Sequence, residues 1–140
     1  MTRCASRSGA GSGRRAVCLA QSARHVQSWG AHDPSAAAEW VRRYGAEGRV
    51  AFLRGNPRGA TATRQFALAV GGGAYDLDGL RPEVGFASEA LEPGGLIAVH
   101  GYPDPEWPDV RRAVDEHASR FGWERVKQTD YLGVFRVPPR

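Results

Sequence analysis

Lysine is almost missing from this chain. Of nineteen basic side chains only Lys127 is a lysine, and with fifteen acids the net charge is +4. A basic balance can mark a nucleic-acid surface, but these arginines are scattered, singly or as pairs such as Arg14-Arg15, Arg42-Arg43 and Arg111-Arg112. No basic run has the interleaved aromatics of a single-strand binding surface. Arginine without lysine is also what GC-rich codon usage produces, so a nucleic-acid partner is not expected. Cysteine is scarce too: Cys4 and Cys18 form no CxxC or Cys/His ligand pattern, and a reduced, cytoplasmic setting is the expectation. Hydrophobic residues make up 41% of the chain, with no apolar run near membrane-spanning length, so no membrane partner is expected. Acids are missing before Asp33. The opening Met1–Gly13 is therefore transit-peptide-like in composition, yet it lacks the apolar core of a secretory signal.

What is present centres on Phe66–Tyr102. Phe66-Ala67-Leu68-Ala69-Val70 and Leu96-Ile97-Ala98-Val99 are short continuous apolar runs, which suit parallel strands covered on both faces. Between them Leu77, Leu80, Val84, Ala87 and Leu91 recur at three- and four-residue steps, one face of an amphipathic helix. Glu92-Pro93-Gly94-Gly95 reads as the break that ends this helix. Strand, glycine-rich turn, helix and strand make a βαβ unit, with the two strands as neighbours. Ligands of such sheets sit beyond the carboxyl ends of the strands, here Gly71–Tyr75 and His100–Tyr102.

These residues also carry a family resemblance. Phe66-x-Leu68-x-Val70-x-x-Gly73-Ala74-x-Asp76-x-Asp78-Gly79-Leu80, followed by Leu91-x-Pro93-Gly94-Gly95-Leu96-Ile97-x-x-His100-x-Tyr102, resembles the fourth and fifth strand segments of class I S-adenosylmethionine-dependent methyltransferases. The small-molecule O-methyltransferase-like group, with F-D-L-x-x-I-D-G at its fourth strand, is the most similar. Pro108–Glu116 extends the likeness into the next helix, so it covers roughly half the chain. It implies a Rossmann-like α/β sandwich, mostly parallel, closed by a C-terminal antiparallel hairpin in strand order 3-2-1-4-5-7-6. At 140 residues one domain spanning 1–140 is expected, short for the full fold. The chain departs from the pattern at its acids. Ala67 and Gly72 replace aspartates of the fourth-strand motif, Gly101 replaces the aspartate after the fifth-strand histidine, and Arg7 stands where the first strand would end in glutamate.

The remaining elements follow in order. The resemblance makes Arg7–Gly13 the end of a first strand and its glycine loop, with Gly9, Gly11 and Gly13 under the cofactor. A flexible Gly/Ser leader is the other reading. Thr2–Arg7 is a poor central strand, because two arginines there need partners. Either that strand is degenerate or the natural N-terminus is incomplete. Ala16–Ala23 reads as a helix and His25–Ala31 as a second strand. Asp33 beyond it matches the family's ribose-binding acid, and it equally fits an N-cap before Pro34. Ser35–Tyr44 is predicted helical, with Ala36, Trp40 and Val41 on its inner face. Arg49–Arg54 is predicted as the third strand, and Asn56 after it resembles the family's residue at the adenine edge. Val110, Ala113, Val114, His117 and Phe121 make one side of a helix over 109–121. His117 is expected at the edge of that face, and Gly122 closes the helix. Trp123–Gln128 and Leu132–Val137 read as the hairpin.

The resemblance implies S-adenosylmethionine as cofactor, held by Gly9, Gly11, Gly13, Asp33, Asn56 and Gly72. His100 and Tyr75 are the proton-transferring side chains at the predicted strand ends, and a histidine suits the base that deprotonates an acceptor hydroxyl. A structural histidine is the alternative for His100. Asp76 and Asp78 read as caps of the following helix. With glycine at 72 and 101 the oxygen ligands of a magnesium site are missing, so no metal is expected. Two functions stay open: metal-independent methyl transfer to a small hydroxylated metabolite, and a non-catalytic methyltransferase-like domain that binds a partner. A homo-oligomer through an exposed sheet edge accompanies the second.

Overall fold

In the computed structural model of the chain, residues 3–7, 18–19, 21–22, 25–30, 35–45, 48, 50–54, 66–71 and 76–139 are described. They form a seven-stranded sheet. The strands are β1 (Arg3–Arg7), β2 (His25–Gly30), β3 (Val50–Arg54), β4 (Phe66–Gly71), β5 (Leu91–His100), β6 (Glu124–Gln128) and β7 (Leu132–Arg136). Their spatial order is β3-β2-β1-β4-β5-β7-β6, as the resemblance implies. β3, β2, β1, β4 and β5 run parallel, whereas β7 is antiparallel to both β5 and β6. The two apolar runs are neighbours, with Ala69 beside Ile97 and Gly71 beside Val99.

Three longer helices belong to the described residues: α1 (Ser35–Arg43), α2 (Leu77–Ala90) and α3 (Pro108–Phe121). Helix α2 starts where Asp76 caps it, its Oδ1 accepting from the Gly79 N–H at 2.7 Å. Leu80, Val84 and Ala87 turn into the core as the periodicity predicts. Helix α3 starts at Pro108, whose missing N–H costs nothing in a first turn. It stops at Gly122, which takes a left-handed φ of 75° while its N–H bonds the Ala118 carbonyl. The main core lies between the sheet and the α2–α3 pair, with Phe66, Leu80, Val84, Ile97, Val110 and Phe135 at its centre.

Several expectations are corrected. Glu92–Gly95 is not a turn: α2 ends at Ala90 and β5 begins at once with Leu91. The register with β4 shifts between Phe66 and Leu68, so the strand starts irregularly. It is held from its other side, because Val137 donates to the Gly95 carbonyl at 2.9 Å and Gly94 to the Pro138 carbonyl at 3.3 Å. A Cβ on Gly95 would lie 2.9 Å from the Glu92 carbonyl oxygen, which explains the glycine. On α1 the buried residues are Ala37 and Val41, while Ala36 is exposed. Phe121 is 45% exposed rather than buried, because α3 overruns the edge of the core in its last turn. The strand whose composition argues against burial, β1, lies between β2 and β4 in the middle of the sheet. Ladders on both sides satisfy its backbone.

Candidate functional site

The carboxyl ends of the parallel strands share one rim of the sheet. From β1 the chain proceeds outward through β2 to β3, and from β4 it proceeds the other way to β5. The connections leave β1 and β4 in opposite directions, which opens a crevice at their ends. Gly71 closes β4 there, opposite Arg7 of β1, and the capped N-terminus of α2 follows. Gly9, Gly11, Gly13, Asp33, Asn56, Gly72 and Tyr75 lie outside the described residues. Each nevertheless follows the end of a strand closely: Arg7 precedes Gly9, Gly30 precedes Asp33, Arg54 precedes Asn56, and Gly71 precedes Gly72.

His100 is the last residue of β5, half-buried and paired with Leu132 of β7. Ile97 and Val99 join the α2–α3 core, so strand alternation gives His100 to the other face of the sheet. The chain then bends at Gly101, whose φ is 86° and whose N–H donates to the Tyr131 carbonyl at 2.9 Å. This angle favours glycine. An aspartate at 101 would therefore be strained. Asp76 and Asp78 occupy the start of α2, as expected of caps. Among the described residues no three His, Cys, Asp or Glu side chains are grouped to hold a metal ion.

Tyr102 is the residue that sequence reasoning passed over. Its ring is 2% exposed and meets Phe135 edge-on at 5.1 Å between centroids. It lies so close over β7 that a Cβ on Gly133 would stand 2.5 Å from Tyr102 Cδ1. The hydroxyl donates to Asp115 Oδ1 at 2.7 Å, and the Arg111 guanidinium sits 5.1 Å from the ring centroid. Burial first, then the hydrogen bond and charge of Asp115, push the phenol above its ordinary value. Tyr102 is therefore a protonated anchor that ties the end of β5 to α3. Its position two residues after His100 was a signal, but its partner lies thirteen residues on. The intervening loop is built of turns, with Asp104 Oδ1 accepting from the Glu106 N–H at 2.9 Å and the Asp104 carbonyl accepting from Trp107 at 3.0 Å. An open groove of about 490 Å³ lies along it, walled by Pro103, Asp104, Pro108, Arg111, Arg112 and Asp115. That is within the size range of small-molecule sites.

His117 packs where expected, against Phe121 and Trp123 with ring centroids 5.3 and 5.9 Å away. Burial, and then the charge of Arg120, lower its pKa.

Solved structures share this arrangement. An S-adenosylmethionine-dependent O-methyltransferase from Thermotoga maritima superposes with a TM-score of 0.77 over 99% of this chain, at 15% identity. The N-methyltransferase NodS from Bradyrhizobium japonicum, in complex with S-adenosyl-L-homocysteine, gives 0.74 over 98% of this chain at 16% identity. This is the class I S-adenosylmethionine-dependent methyltransferase fold. The chain spans 60% of the Thermotoga protein and 78% of NodS. The [4+2]-cyclase SpnF also superposes, at a TM-score of 0.68 and 20% identity over 90% of this chain and 53% of its own. The methyltransferase fold thus carries other chemistry as well. No family model and no curated protein matches the sequence. No helix among the described residues is long and apolar enough to cross a membrane.

Proposed function

We propose that this chain binds S-adenosylmethionine across the ends of β3, β2, β1 and β4 and methylates a small hydroxylated molecule, without a metal, in the cytoplasm. The observation that carries this reading is the sheet order. It makes neighbours of the four strand ends that precede Gly9–Gly13, Asp33, Asn56 and Gly72. Glycine ends β4, and the space its side chain would take is held by the Glu83 carboxylate, which gives this rim a polar floor. Asp33 accepts hydrogen bonds from ribose hydroxyls, and the Gly9–Gly13 turn lets backbone approach the methionine end.

The cofactor supplies an electrophilic methyl group on sulfur. His100 takes the proton from the acceptor hydroxyl, so that oxygen carries more negative charge as it attacks. Tyr75 is the second candidate for proton transfer at this rim. Tyr102 holds the loop that follows His100. Methyl transfer is an in-line displacement, so positioning supplies much of the rate. With glycine at 72 and 101, magnesium at millimolar concentration is expected to change neither stability nor activity. Calorimetric titration of the purified chain with S-adenosylmethionine tests the reading, and absence of binding defeats it.

One observation favours the second reading, a non-catalytic domain engaging a partner. The left-handed angle at Gly101 suits glycine and not the aspartate of the family pattern. Retained cofactor binding without methyl transfer to any hydroxylated acceptor would select it.

A further inference from the structure

Among the described residues Glu83 is the buried charged side chain, 6% exposed. It shares the inner face of α2 with Leu80, Val84 and Ala87, where the helical period calls for an apolar residue. Its Oε1 lies 2.8 Å from the point where a Cβ on Gly71 would stand. The carboxylate therefore fills the place of a side chain at the end of β4. A carboxylate so far from water needs a cation or several donors. Arg81, two residues earlier on α2, is engaged on the outer face, 3.4 Å from Glu116 of α3. In the parallel ladder, however, residue 7 of β1 stands opposite Gly71. Such paired positions share a face of the sheet.

Residue 7 is an arginine where the family pattern has an acid, in a strand with neighbours on both sides. An arginine in a strand paired on both sides calls for an anion as much as Glu83 calls for a cation. The two anomalies answer each other. We propose that Glu83 and Arg7 form an ion pair beneath the ends of β1 and β4, and that this pair positions the zwitterionic amino-acid end of S-adenosylmethionine. The positioning role rests on the function proposed above, whereas the pair itself does not. Glu83 then returns, from a helix, the carboxylate that β1 and β4 lack at their ends. Gly71 is glycine because that carboxylate occupies its side-chain space.

The test has two arms. In the first, urea unfolding midpoints are compared for the wild type, Arg7→Met, Glu83→Met and the double variant. Each single change strands a charge and lowers the midpoint, whereas the double removes both charges and is no less stable than the better single. Losses that simply add in the double overturn the pair. If a single variant does not fold, the exchanged chain Arg7→Glu with Glu83→Arg decides: its folding supports the pair and its failure overturns it. In the second arm, calorimetry measures the affinity of the neutral double variant, or of the exchanged chain, for S-adenosylmethionine. It also measures affinity for 5′-methylthioadenosine, which lacks the amino-acid end. The expected result is a loss of about tenfold or more for S-adenosylmethionine, with methylthioadenosine unaffected. Equal losses for both, or none, overturn the positioning role. A wild-type chain that binds neither ligand defeats the cofactor reading instead, and the unfolding arm still decides the pair.

Discussion

The ends of β4 and β5 lie side by side in the sheet, yet they are built in opposite ways. β4 ends in Gly71, with no side chain of its own, and a helix fills the space beneath it with Glu83. β5 ends in His100 and continues into Tyr102, two side chains with separate tasks. One is half-buried at the rim, and the other is buried and bonded to Asp115. A strand end that borrows a carboxylate from a helix suits holding the charged end of a ligand. A strand end bearing an imidazole suits moving a proton. Under the proposed function, binding would fall to the β1–β4 crevice and chemistry to the end of β5.

The sharpest way to break this division is to remove the imidazole. His100→Ala should lower the methylation rate by about 10²–10⁴-fold, the usual contribution of a general base. Its affinity for S-adenosylmethionine should stay unchanged; a parallel loss of affinity would place His100 in the binding half. Asp33→Ala probes the other side. It should weaken cofactor binding by about 1.5–3 kcal/mol, the scale of hydrogen bonds to a charged group. If calorimetry shows unchanged affinity, Asp33 is only a helix cap.

Gly133→Ala tests the anchor behind His100. The added methyl would sit 2.5 Å from Tyr102 Cδ1, and overpacking of this kind costs about 1–3 kcal/mol. Denaturant unfolding should show that loss, and an unchanged midpoint would mean that the Tyr102 ring is free to move aside.

The smallest effect expected is at His117, away from both strand ends. Its folded pKa lies below the unfolded value because the neutral ring is packed against Phe121 and Trp123, beside Arg120. Its contribution is therefore complete at neutral pH. It is lost as the pH falls from the unfolded value of about 6.5 toward the depressed folded one. Urea midpoints at pH 7.5 and pH 5 should differ less in His117→Gln than in the wild type.

Much of the fold was legible because its signals are local. Apolar runs marked β4 and β5, the three- and four-residue steps marked α2, and Gly122 marked the end of α3. The start of β5 was not, because Pro93-Gly94-Gly95 is held in the sheet by Val137 and Pro138 from the far end of the chain. The site was legible in part. His100 could be placed from the strand that ends with it, but Tyr102 acquires its role only through Asp115 and Gly133. Glu83 sits in step with Leu80 and Ala87, so the helical period already set it on the buried face. A charge in such a place is a prompt to look for its opposite elsewhere in the chain.

Strand β1 has a consequence beyond the site. Among the described strands, β3 and β2 join the rest of the sheet only through it, since β1 alone pairs with both β2 and β4. This seam is five residues long. Ligand held across its end would bridge both sides and stabilise the joined state over the parted one, by an amount that grows with the logarithm of ligand concentration above Kd. Occupancy of the crevice and cohesion of the sheet would then be one equilibrium, and the protein's resistance to unfolding would report how much ligand surrounds it.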